Sequence, residues 1–499
     1  MGASPGQNLR ARVFRGLAWK AASLFFRQFS RIVVAVVLAR LLIPEDYGVA
    51  AMVLAFSSLV FIFSDLALGA ALVQRRELSE EDRSTVFWTS VAFGTLFTLL
   101  GLGLAGPLAA FFGEPEVRPL FAVFSLSFLV TALGTTQTAL LNREMDFKRL
   151  ELRMMTATLA GAGIGIALAV AGFGAWALIG QQLAVATVST ALLWAVSPWR
   201  PRLVFSLASL RSMGRFGGNV FGTRVLFYVN RYADNVLIGR VLGSSALGFY
   251  ALAYNVMLAP LSRIAAPVQE VLFPAFSLMQ NERRRIATMW IRVNRLVGAV
   301  TIPTMLGLVA VAPDFVTVVL GEKWQEATVV IQILAWVGLL QSLQRLNSSI
   351  LQALDRTGTL LRYSIVVVVA SVTAFVAGLH WGIVGVAAGY AISSTLVEPM
   401  YAWLTARALG VPVWGFARSL AGVVQAAVVM LGAVLALRLF LVDQGVSAGP
   451  RLALVVAAGI AVFVPLCLWR QPEVLAELRR VRGGRDGAPG LAGAVPAEP

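Results

Sequence analysis

The chain has 499 residues, 58% of them apolar and only 13% charged, with a formal net charge of +16 and a mean hydropathy of +0.79. That balance excludes an ordinary soluble domain. The positive charge is distributed along the chain as a membrane-topology signal, which argues against a nucleic-acid partner, and the single cysteine, Cys467, excludes an intramolecular disulfide or a cysteine-based metal cluster.

The apolar residues come in runs of about twenty, the length a helix needs to cross a hydrocarbon layer of roughly 30 Å. In chain order the runs predict about fourteen transmembrane helices. They fall at 16–38, 47–72, 84–106, 118–141, 154–172, 174–195, 214–242, 247–272, 287–311, 326–354, 361–379, 382–406, 416–441 and 449–470. The expected class is an all-α polytopic membrane protein. Alternate connections are rich in Arg and Lys, as at Arg75, Arg76 and Arg83, at Arg143, Lys148, Arg149 and Arg153, and at Arg283 to Arg285. The opposite set holds only Arg40, Arg118, Arg240, Lys323, Arg438 and Arg451. The positive-inside rule then puts both termini in the cytoplasm, which agrees with an even number of spans. The first apolar run is too long, and carries too much internal charge, to read as a cleavable signal peptide. The outward connections are short.

The chain repeats itself about two hundred residues on. Ala39-Arg40-Leu41-Leu42 followed by Gly48 returns as Gly239-Arg240-Val241-Leu242 followed by Gly248. Arg31 is answered by Arg231, Phe112-Gly113-Glu114 by Leu320-Gly321-Glu322, and Gly172 by Gly382. The first six spans and the next six are therefore read as two copies of one unit. An even repeat keeps its orientation, which predicts two parallel-repeat six-helix lobes related by an axis along the membrane normal. The division is an N-lobe at 1–205, a C-lobe at 206–410, an added pair of helices at 411–470 and a cytoplasmic tail at 471–499. Segment 196–213, with Pro198 and Pro201, links the lobes. The Gly/Ala/Pro/Arg composition after Arg470 predicts a largely disordered tail.

The seventh span is the least lipid-like, holding Asn219, Arg224, Tyr228, Asn230, Arg231, Asp234 and Asn235. At 1.5 Å per residue, Arg224 falls about 15 Å and Arg231 about 26 Å from the start of the span. The first span repeats the device with Lys20, Arg27 and Arg31. Arginine within a membrane helix usually faces a water- or ligand-filled interior, and its planar fork suits phosphate and carboxylate. The expected substrate site is thus a cationic cavity of Arg27, Arg31, Arg224, Arg231, Asn235, Arg263 and Arg345, occupied by a pyrophosphate or acidic sugar. The plain alternative is local neutralisation, as between Arg231 and Asp234. Four intramembrane acids, Asp65, Asp234, Glu270 and Glu398, are candidates for coupling to an H+ or Na+ gradient. No nucleotide-binding loop, zinc-ligand spacing or nucleophile elbow is present, so no catalytic residue, metal or cofactor is expected. A membrane glycosyltransferase would need an outward acid, for which Asp314, Glu322 and Glu326 are the choices.

Ser64-Asp65-Leu66-Ala67-Leu68-Gly69-Ala70-Ala71-Leu72-Val73-Gln74-Arg75 resembles the second-helix motif of the polysaccharide and lipopolysaccharide flippase family, within the multidrug/oligosaccharidyl-lipid/polysaccharide exporter superfamily. Leu141-Asn142-Arg143-Glu144-Met145-Asp146-Phe147-Lys148, and the run from Asn230 through Asp234 and Gly239-Arg240 to Ala253-Tyr254-Asn255, look like later signatures of that family. The likeness covers roughly residues 10–410. It implies a V-shaped bundle of two six-helix lobes and two extra helices. Its implied activity is translocation of an undecaprenyl-pyrophosphate-linked sugar unit across a bacterial inner membrane by alternating access. The implied partners are that lipid-linked oligosaccharide, membrane lipids and a polysaccharide polymerase or export machinery. A drug exporter of the same superfamily and a membrane glycosyltransferase stand as alternatives.

Overall fold

The computed structural model describes residues 26–64, 77–214, 218–262 and 266–473, with Trp19, Ser23, Gly69, Leu72 and Val73. Every regular element among the described residues is helical. In chain order these are α1 (26–41), α2 (Pro44–Ser64), α3 (Glu80–Phe112), α4 (Val117–Arg143), α5 (Phe147–Val170), α6 (Trp176–Val196) and the short α7 (Leu207–Gly214). Then come α8 (Gly218–Pro260), α9 (Ala266–Leu278), α10 (Arg283–Phe315), α11 (Ala327–Ala353), α12 (Thr357–Gly378), α13 (Gly382–Leu409), α14 (Val413–Asp443) and α15 (Ala448–Arg470).

Ten helical stretches among the described residues are long and apolar enough to cross a membrane. Part of the difference from the sequence expectation is continuity. The seventh and eighth expected spans run together as α8 across a kink at Gly243, and α12 and α13 form one continuous stretch across a 3-10 turn at Leu379–Trp381. The start of the first expected span, Asp65, Arg263 and the tail from 474 onward lie outside the described residues.

Positive-φ turns occur at several places of the repeated text. Gly113 and its counterpart Gly321 both turn the chain with positive φ, at 74° and 106°, a conformation that only glycine adopts without steric cost. Met145 and Asp355, which follow the fourth and tenth expected spans, are the two non-glycine residues with positive φ among those described, at 55° and 54°.

The described chain separates into two compact units. The first comprises Met1–Leu252, Val319–Ala327 and Val367–Gly389. In it α3 packs along α4, α5 along α6, and α4 along both α2 and α6. The α4 residues Leu120, Phe121 and Phe128 are fully enclosed. A reciprocal capping box between Ser79 and Asp82 starts α3 and satisfies backbone donors that lipid could not.

The second unit comprises Ala253–Val318, Thr328–Val366 and Tyr390–Pro499. Here α10 packs on α14 and α15. Trp290, fully buried, stacks on Phe416 at 4.6 Å and donates its indole N–H to Asn347 at 2.9 Å. Near the far end of α10, Asp314 is 1% exposed. Its carboxylate accepts from Arg438 Nε at 2.7 Å and from Arg451 Nε at 2.9 Å, and Arg451 Nη2 adds a second bond. Asp314 therefore ties the last two helices to α10 and is not available as an outward catalytic base.

Removing one partner from a buried ion cluster costs about 3–5 kcal/mol, whereas replacing the whole cluster with apolar groups is often neutral. Asp314→Ala should therefore lower the melting temperature of the solubilised protein, followed with a thiol-reactive dye that reports exposure of the buried Cys467. The triple replacement Asp314→Leu, Arg438→Leu and Arg451→Met should recover most of the loss. Equal destabilisation by both would remove the ion cluster as the cause.

Candidate functional site

The first unit is closed at one end by the two copies of the repeated text. The break between α1 and α2 falls at Leu42 and Ile43, where Asp46 Oδ2 accepts the Ile43 N–H at 3.0 Å. The matching break in α8 falls at Gly243, with φ 86°. Five residues on, a Cβ on Gly48 would overlap the carbonyl oxygen of Ser244, and a Cβ on Gly248 would overlap that of Pro44. The contact is reciprocal, each copy's glycine receiving the other's backbone. Such an approach needs a residue without a side chain. Ser245 donates a hydrogen bond to the Glu45 carboxylate across the same junction.

A tryptophan completes the closure. Trp324 is fully buried, donates its indole N–H to Ala39 O at 2.8 Å, and lies edge-on to Tyr47 at 5.1 Å and Phe249 at 5.9 Å. Beside it Lys323 Nζ donates to Arg40 O at 2.9 Å and Arg40 Nε donates to Val319 O at 3.1 Å. Burial pulls the Lys323 ammonium below the usual lysine range, and the Asp46 carboxylate opposes that shift. Further along α2, Tyr228 donates to Ala55 O at 2.9 Å and Ser58 to the Tyr232 hydroxyl at 2.9 Å. From Gly48 to Ser58 is about 15 Å of helix, so the closure extends well into the bundle.

The opposite end of α1 is basic. Arg27 Nη2 lies 3.2 Å from Glu151 Oε2, which also accepts from Ser23 Oγ at 2.6 Å. Lys148 covers the Trp19 ring at 5.8 Å. Glu151 belongs to the second turn of α5, so Arg27 is level with the start of α5 rather than with its middle. Arg31, one turn further along α1, is exposed. Arg231 is half-buried, with its guanidinium 5.0 Å from the centre of the Tyr232 ring, and interacts electrostatically with Asp234. Asp234 is 1% exposed and accepts from Tyr250 OH at 3.0 Å and from the N–H of Asn235, itself buried, at 2.8 Å. The Tyr250 bond ties together the parts of α8 on either side of Gly243.

In the second unit Arg345 is half-buried, and its Nε has no hydrogen-bond partner among the described residues. Glu398 accepts from Tyr363 OH at 3.3 Å, and the Tyr363 ring stacks on Tyr401 at 3.9 Å. The side chains of Arg224 and Glu270 and the whole of Asp65 and Arg263 lie outside the described residues. No group of three metal-ligating side chains occurs among the described residues. The sequence singled out neither Glu151 nor Trp324, and it named Arg153 only as part of a basic connection. For Glu151 a signal existed, an acid set among the basic residues that precede the fifth expected span.

The described residues thus form an all-helical membrane bundle in whose first unit the two copies of one helix break meet backbone to backbone. The solved structure titled "Lipid II flippase MurJ, inward closed conformation" has the same fold, with a TM-score of 0.73 over 91% of this chain and 99% of that chain at 16% identity. Residues 37–329 match the family model described as "Polysaccharide biosynthesis protein", and the chain belongs to that family. It is 29% identical to the lipopolysaccharide biosynthesis protein WzxC of Escherichia coli (strain K12), over 77% of this chain and 78% of WzxC. It is 27% identical to the teichuronic acid biosynthesis protein TuaB of Bacillus subtilis (strain 168), over 84% of this chain and 87% of TuaB.

Gly48→Ala or Gly248→Ala should force the junction apart. In a chain with Cys467→Ser and Ser245→Cys, either change should raise the labelling rate by a membrane-impermeant maleimide several-fold. Unchanged labelling would mean that the glycines are not required for closure.

Proposed function

We propose that this chain flips lipid-diphosphate-linked oligosaccharides across a bacterial inner membrane by alternating access, in polysaccharide or lipopolysaccharide biosynthesis. The observation that carries the reading is the glycine-on-glycine closure at one end of a bundle whose spans hold arginines. One end of the first unit is shut by backbone contact, and the spans carry charge suited to an anion. In the proposed topology both termini are cytoplasmic, so the closed end is the outer one and Arg27 lies toward the cytoplasm. The fourteen spans form two six-helix lobes, 1–205 and 206–410, with the helices of 411–470 added and 471–499 as a tail.

The relatives' names speak of lipopolysaccharide and teichuronic acid, and the MurJ title speaks of lipid II. What such materials share is an anionic, sugar-bearing precursor. We assign its negative groups to Arg27, Arg31, Arg224, Arg231, Asn235, Arg263 and Arg345. Of the four intramembrane acids, Glu398 is the one we favour for coupling to an H+ or Na+ gradient. Its hydrogen bond comes from a tyrosine at 3.3 Å, whereas Asp234 already accepts from Tyr250 and Asn235 inside the fold. A polysaccharide polymerase is the partner such a product calls for.

Arg224→Ala should abolish surface polysaccharide in a strain that depends on this chain, with the protein still present in the membrane fraction at wild-type level. Export at the wild-type rate would remove Arg224 from the mechanism. Glu398→Gln should slow translocation and make the residual rate insensitive to collapse of the ion gradient. A residual rate that still falls on collapse would move coupling to another acid.

A further inference from the structure

The Arg27–Glu151 pair is one part of a larger cluster with an unequal charge count. Arg153, two residues along α5, interacts electrostatically with both Glu151 and Arg27. Its Nη1 reaches only the neutral Thr138 hydroxyl, at 3.4 Å, and its Nε is buried without a hydrogen-bond partner among the described residues. Glu151 Oε2 takes both Ser23 and Arg27, and the Glu151 side chain is 12% exposed. Among the described residues, two guanidiniums therefore share one carboxylate, and the second has an unsatisfied donor. Leaving a buried charged donor unmet is costly. An anion that arrives and departs would meet it without neutralising the site permanently.

We infer that Arg27 and Arg153 form a loading site for the diphosphate group of the substrate, and that Glu151 is a built-in competitor that holds the arginines when the substrate is absent. This inference rests on the flippase reading above. A diphosphate offers enough oxygens to take a fork from each guanidinium, which a single carboxylate cannot do. When the diphosphate leaves, Glu151 takes back Arg27, so release does not strand two unpaired cations. The adjoining face of α5 favours a lipid-linked over a free diphosphate. Leu152 and Leu159, 41% and 54% exposed, lie seven residues apart on one stripe of α5, about 100° around the helix from Arg153, and offer an apolar track for a chain attached to the headgroup.

The test measures binding of radiolabelled farnesyl diphosphate, and separately of inorganic pyrophosphate, to the full-length protein in nanodiscs of zwitterionic lipid. The wild type should bind the lipid diphosphate more tightly than pyrophosphate. Arg153→Ala should weaken farnesyl diphosphate binding about 10-fold or more, the loss of one charge-assisted fork, and Arg153→Lys should restore part of it. Glu151→Gln should tighten binding several-fold while slowing export in cells, because release is then hindered. Arg153 makes no ion pair with its own acid at hydrogen-bond distance, so Arg153→Ala tests the site even if Glu151→Gln fails to fold. Unchanged affinity in Arg153→Ala, or unchanged or weaker affinity in a folded Glu151→Gln, overturns the inference. Equal affinity of the wild type for the two ligands overturns the lipid source. If the wild type restores polysaccharide export but these variants bind as it does, the loading site fails and the flippase reading stands. If the wild type neither restores export nor binds, the flippase reading fails as well.

Discussion

Two backbones touch at Gly48 and Gly248, and the rest of the closed end is arranged around that contact. With any side chain at either position, the carbonyls of Ser244 and Pro44 could not come as close as they do. The helix breaks, the Glu45–Ser245 bond and the buried Trp324 each depend on the spacing the glycines allow. Within lipid, close approach is favoured by packing and not by a hydrophobic gain, so small residues determine where helices meet. A junction made mainly of backbone and one indole can close tightly and still separate, because its parting leaves few buried charges behind.

Charge is treated differently in the rest of the chain. Asp314 meets two arginines and is enclosed, which makes α10, α14 and α15 one mechanical element. Asp234 receives two hydrogen bonds from its own helix. Around Arg27 and Arg153, by contrast, basic groups outnumber acids and donors are left unmet. On the proposed reading, these arginines are held for an anion from outside. The same reasoning marks Arg345 in the second unit.

The helical class was legible because run length is a direct physical signal: about twenty apolar residues match the hydrocarbon thickness. The equivalence of Gly48 and Gly248 was legible from the repeat. Their mutual contact was not, since similarity between copies says nothing about whether the copies meet. Gly243 hid a kink inside continuous helical hydrogen bonding, so the spans on either side run together as one element. The sequence placed Arg27 in the first span without a depth, and its pairing with Glu151 on α5 fixes its level. Asp314 looked like an accessible acid because its two partners lie more than a hundred residues away. Trp324 sits in a short polar connection and gave no local sign that it would bury itself against Ala39 and Tyr47.

The most direct measurement is translocation by the purified protein in liposomes that carry a fluorescent polyprenyl-diphosphate oligosaccharide. A membrane-impermeant quencher distinguishes the two leaflets. The account predicts that label moves from the leaflet facing the Arg27 end to the opposite leaflet when wild-type protein is present, and stays where it was placed in protein-free liposomes. Equal residence of the label with and without the protein, in vesicles where the protein is folded and inserted, would contradict it.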